Sequence, residues 1–123
     1  MTRVHGIRGA TTADANTKES IFEATQDLLK RLVEANEVHV DDIASALFTT
    51  TEDLTAGFPA EVARRMGWKY VALLSGHEMK VPNSLNLCIR ILLLINTDKL
   101  PQDLKFVYVR GAANLRDTSM GTA

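Results

Sequence analysis

Cysteine occurs once in the 123 residues, as Cys88, so no intrachain disulfide can form. A chain without disulfides suits a reducing compartment, and a cytoplasmic location is expected. His5, His39 and His77 are scattered and share no metal-ligand spacing with Cys88, so no metal or cofactor is expected. Charge of one sign is not in excess. The formal net charge is -1, which offers nucleic acid no basic field. Long hydrophobic runs are missing as well. The longest, Ile91 to Ile95, is far short of the roughly 20 apolar residues that span a bilayer. The opening Met-Thr-Arg-Val-His-Gly has no apolar stretch of the secretory-leader type. There is no repeat, no low-complexity tract and no Pro/Gly-rich linker. One domain over residues 1–116 is expected, followed by a polar, mobile tail at 117–123.

What is present is a 46% hydrophobic chain with clear periodicities, enough for one core. Residues 4–12 mix β-branched and small side chains and predict a first strand. Asn16 and Glu19 have capping spacing, and a helix is expected from 17 to about 35. Ile21, Ala24, Leu28, Leu32 and Ala35 supply its apolar stripe, at spacings of three and four. A single helical turn is expected at 41–44 and a second strand at 46–51. Pro59 suits the first turn of a short helix, 59–66, closed by Gly67. Further strands are expected at 68–74, 87–96 and 106–110. The 87–96 strand is almost wholly apolar, the mark of a strand covered on both faces. The fold class is α+β: a mixed five-stranded sheet packed on one long helix and one short helix. These helices cover one side, so the other side calls for a cover outside the chain, and an oligomer is expected.

Arg90 fits poorly with packing alone. It sits in Leu87-Cys88-Ile89-Arg90-Ile91-Leu92 and shares a face with Cys88, Leu92 and Leu94. A guanidinium there needs an anion. That anion is either a carboxylate such as Glu78, in a structural ion pair, or a ligand with Glu78 beside it. Arg8 lies in Gly6-Ile7-Arg8-Gly9-Ala10-Thr11-Thr12, where small neighbours would let a ligand approach the backbone; an ordinary surface arginine is the plainer alternative. Tyr108 shares a face with Phe106 and Arg110 and would ordinarily be a core or interface residue. Arg64 and Arg65 follow Phe58-Pro59-Ala60 and would ordinarily be a solvated helix face. No phosphate loop, dinucleotide fingerprint or nucleophile elbow occurs. Arginines with one glutamate and one tyrosine suit the binding and polarising of a carboxylate-rich ligand.

The stretches Gly6-Ile7-Arg8-Gly9-Ala10-Thr11-Thr12, Phe58-Pro59-Ala60, Gly67-Trp68, Glu78-Met79, Cys88-Ile89-Arg90, Asn96-Thr97-Asp98, Pro101-Gln102-Asp103, Val107-Tyr108 and Leu115-Arg116 carry a resemblance. With them the chain resembles the monofunctional chorismate mutases of the Bacillus type, over essentially its whole length. The resemblance implies a trimeric pseudo-α/β-barrel with clefts between subunits, and conversion of chorismate to prephenate, the committed step toward phenylalanine and tyrosine. By position, it implies that Arg90 contacts the ether oxygen and a carboxylate of the substrate. Arg8 and Tyr108 would hold the enolpyruvyl carboxylate, and Glu78 would accept the ring hydroxyl. Phe58 and Arg64 would form a wall from the neighbouring subunit, and Leu115 and Arg116 would help to cover the ligand. Ser75 stands where well-known members have cysteine, and is kept as a binding residue. Glu61 stands where a lysine is frequent, and is expected to turn to solvent.

Such a [3,3] rearrangement breaks a C–O bond as a C–C bond forms, with no proton transfer. A protein can select the compact conformer and place positive charge where the ether oxygen becomes negative. Two other functions use the same residue types: a small trimeric imine or enamine deaminase, and a non-catalytic trimer that binds an aromatic-pathway metabolite.

Overall fold

The computed structural model describes residues 1–115. Seven main elements follow in chain order: β1 (Arg3–Thr12), α1 (Lys18–Asn36), β2 (Ile43–Thr50), α2 (Ala60–Arg65), β3 (Ala72–His77), β4 (Cys88–Thr97) and β5 (Val107–Tyr108). Short 3-10 turns occupy Val40–Asp42, Pro101–Asp103 and Arg110–Ala112. The strands form one sheet in the order β3-β2-β4-β1-β5. The three central strands pair antiparallel, whereas β3 joins β2 and β5 joins β1 in parallel. The expected mixed sheet with one long and one short helix is therefore what forms.

Alternation along the strands decides which face is covered. Ile7 of β1, Phe48 of β2 and Ile89, Ile91, Leu93 and Ile95 of β4 meet Ile21, Ala24, Leu28 and Leu32 of α1 in one core. Burial of each such large side chain contributes about 1.5 to 3 kcal/mol. Gly9 belongs to this packing. A Cβ there would lie 2.2 Å from the Val107 carbonyl oxygen, so the bare backbone is what lets β5 lie against β1. The glycine after Arg8 thus makes room for a strand, where an approaching ligand had been expected.

Several local expectations shift. Thr17, not Asn16, caps α1, its hydroxyl accepting the Ser20 N–H at 3.1 Å. Asn16 instead accepts the Thr55 and Ala56 N–H groups, pinning the loop before α2. The turn expected at 41–44 lies at Val40–Asp42, and Ile43 already belongs to β2. The third strand begins at Ala72, because Trp68 and Val71 are buried in the core from the segment after α2. The last strand is only Val107–Tyr108. Arg110 has a φ of 53° and turns the chain back, its guanidinium 3.5 Å from Glu23 and 3.9 Å from Asp27 of α1. Arg116 and the expected tail lie outside the described residues.

Candidate active site

The sheet face opposite the helices carries most of the candidate site residues. Register aligns Thr49 of β2, Arg90 of β4, Ala10 of β1 and Tyr108 of β5 in one row across four strands. Arg8 lies two residues from Ala10 on that face, its guanidinium 5.4 Å from the centre of the Phe106 ring. Glu78 follows β3, with its backbone N–H bonded to the Thr50 carbonyl at 2.8 Å. Its Oε2 accepts a hydrogen bond from the Thr49 hydroxyl and lies 3.7 Å from Arg90 Nε. Among the described residues, the buried Nε–H of Arg8 and hydroxyl of Tyr108 have no hydrogen-bond partner. Buried donors of this kind are normally satisfied, so a ligand's oxygen atoms would suit them.

The walls of this site are apolar. Leu85, Tyr108 and Leu115 pack against Ala10, Cys88 and Ala112. Burial pushes the Cys88 thiol up to about 11, although the neighbouring Arg90 charge works the other way. It therefore remains a neutral filler beside Arg90, not a nucleophile. A cleft of about 750 Å³ opens between the loop at 78–87 and residues 51–53. The exit of that loop is held at Leu87, whose φ is 51° and whose N–H bonds the Asp53 carboxylate at 2.9 Å. Thr51 accepts the next N–H, that of Cys88, at 3.0 Å.

Thus Arg8, Glu78, Arg90, Tyr108 and Leu115 come together within one chain. Phe58, Arg64 and Ser75 do not join them. Ser75 pairs in register with Phe48, whose side chain is in the core, so it points to the helix side of the sheet. There it lines a cleft of about 620 Å³ with Phe58, Lys18 and His77. Phe58 is 70% exposed. Arg64 projects from α2 beside Trp68 and Lys69. Glu61, expected to face solvent, pairs with Arg65 one turn along α2 at 2.5 Å.

The chorismate mutase type I family model matches residues 4–119 of this chain. The chain belongs to that family. The chorismate mutase AroH of Thermus thermophilus is 50% identical over 115 residues, 92% of this chain and 93% of that protein. The AroH chorismate mutase of Bacillus subtilis (strain 168) is 39% identical over 115 residues, 92% of this chain and 90% of its own length. A solved chorismate mutase from Clostridium thermocellum superposes with a TM-score of 0.86 at 50% identity, covering 88% of this chain and 96% of that one. These matches displace the deaminase alternative. The residues missed in the sequence are Thr49, Thr51 and Asp53, which hold Glu78 and the entry to β4. Their signal was present as polar residues spaced by two at the end of β2, one strand face continued into the turn.

Proposed function

We propose that this chorismate mutase family chain converts chorismate to prephenate by an intramolecular [3,3] rearrangement, on the route to phenylalanine and tyrosine. The observation that carries this reading is the convergence of Arg8, Glu78, Arg90 and Tyr108 at one end of the uncovered sheet face. Arg90 supplies fixed positive charge to the ether oxygen, which gains negative charge only in the transition state. Its planar fork can serve that oxygen and a carboxylate together. Arg8 and Tyr108 clamp the enolpyruvyl carboxylate and so favour the compact conformer. Glu78 accepts the ring hydroxyl. The bond changes involve no proton, nucleophile, metal or cofactor.

A homotrimer is part of the proposal. Leu92 and Leu94 lie half-buried on the uncovered face beside the site, while exposed Phe58 and Arg64 lie on the helix side of the chain. A neighbouring copy could therefore bring Phe58, Arg64 and Ser75 to the sheet face that holds Arg90, with Leu115 and Arg116 as cover of the site. Incubation with chorismate is the test. Its ultraviolet absorbance should fall as prephenate forms, in a species of about three times the 13.5 kDa chain mass on light scattering. Binding of chorismate without turnover would establish a sensor and overturn the enzymatic reading.

A further inference from the structure

Glu78 lies just beyond the end of β3, where the chain leaves the sheet for the 78–87 loop. A glutamate there has three freely rotating side-chain bonds, so something must hold its carboxylate if it is to meet a ligand in one geometry. Thr49 is placed to do so. It stands directly opposite Arg90 in the β2–β4 ladder and on the same face. Its hydroxyl donates to Oε2 of Glu78, the same oxygen that lies 3.7 Å from Arg90 Nε. Both described contacts of the carboxylate thus fall on one oxygen, and Oε1 has no described partner. A threonine in a strand is ordinary by β-propensity, but valine would satisfy that propensity as well. Only the hydroxyl reaches Glu78.

We propose that Thr49 is a positioning residue for the reaction. Its hydroxyl ties down Oε2 and thereby presents Oε1 to the ring hydroxyl of the substrate. The inference rests on the assignment of Glu78 as the acceptor for that hydroxyl. Its loss should weaken a contact made in both the ground and transition states, so the change falls mainly on KM.

Thr49→Val keeps the branched shape and removes the hydroxyl. It should lower kcat/KM by about tenfold, the scale of a hydrogen bond to a charged group, mostly through KM. Thr49→Ser restores the hydroxyl and should remain within about threefold of the parent. The decisive arm is a double-mutant cycle with Glu78→Gln. If Thr49 acts through Glu78, Thr49→Val should change kcat/KM by no more than about twofold in the Glu78→Gln background. A costly Glu78→Gln whose effect simply multiplies with that of Thr49→Val overturns the inference and leaves the role of Glu78 intact. So does a Thr49→Val enzyme of parental kcat/KM, or a serine variant as impaired as valine. A Glu78→Gln enzyme of parental activity removes the role of Glu78, and the positioning role falls with it.

Discussion

The two faces of β4 share one backbone and differ in almost everything else. On the helix side, Ile89, Ile91, Leu93 and Ile95 are at most 1% exposed. On the other side, Cys88 is equally buried, but Arg90, Leu92 and Leu94 are only partly so. The first face is finished within the chain, and its residues are interchangeable hydrocarbon. The second is unfinished: apolar residues along most of its length lead to one partly buried charge at the end nearest the 78–87 loop. Stability is concentrated on the first face. In the proposed enzyme, function is concentrated on the second, where a second copy can complete it.

Substitutions on the two faces should therefore fail in different ways. The largest effect is expected at Arg90. Arg90→Ala should leave a folded protein whose kcat is reduced by about 3 to 4 kcal/mol of barrier, the scale for removal of an oxyanion-type donor. The fold survives because the substitution also removes a desolvation cost. Arg90→Lys should recover only part of the loss, since it keeps the charge and loses the fork. Steady-state kinetics beside a thermal melt separates these effects, and near-parental kcat in Arg90→Ala would make Arg90 a structural ion-pair partner only. One residue along, Ile91→Ala should do the reverse. It should cost about 2 to 5 kcal/mol of stability in a denaturant titration, while the folded fraction keeps its kcat.

Cys88 sharpens the contrast through pH. Burial raises its thiol from 9.0 to about 11. The folded chain therefore keeps a proton that the unfolded chain releases. The stabilisation is complete below pH 9 and is lost as pH rises from about 9 to about 11. Denaturant titrations of the parent and Cys88→Ala across that window should converge by about 2 to 3 kcal/mol relative to their difference at pH 8. A constant difference would mean that the thiol is not held neutral. The smallest effect is expected at Ser75, on the helix side of the sheet. Ser75→Ala should cost about 1 kcal/mol or less in kcat/KM, and Glu78→Ala should cost more. The opposite ranking would relocate the polar end of the site.

The long elements were legible because their periodicity reflects burial. The stripe at Ile21, Ala24, Leu28 and Leu32 predicted α1, and the apolar run at 87–96 predicted β4 to within a residue at each end. Short elements were less legible because tertiary contacts overrode local preference. Trp68 looks like a strand residue but is buried from a connecting segment, and Arg110 ends β5 by adopting a positive φ. Arg90 was legible as a charge in an apolar strand, and its nearness to Glu78 is common to both alternatives, as ion-pair partner in one and as pocket neighbour in the other. The split between Ser75 and Glu78 was not foreseen. A spacing of three residues resembles proximity, yet the strand alternation and the turn after His77 send the two side chains to different sides of the sheet. Thr49, Thr51 and Asp53 went unnoticed because two threonines and an aspartate at a strand end match an ordinary turn.

The central claim is that the unfinished face becomes an active site only when another copy meets it. Co-expression of Arg90→Ala chains with Arg64→Ala chains tests this most directly. Each variant alone should be close to inactive. In trimers assembled at random from equal amounts of the two chains, about a quarter of all the shared clefts would draw Arg90 from one chain and Arg64 from its neighbour, both intact. The co-expressed population as a whole should therefore recover about a quarter of the parental turnover of chorismate. Mixed trimers no more active than the two variants apart would place Arg90 and Arg64 in one chain's site, and full activity of Arg64→Ala alone would remove the neighbour from it; either result contradicts the account.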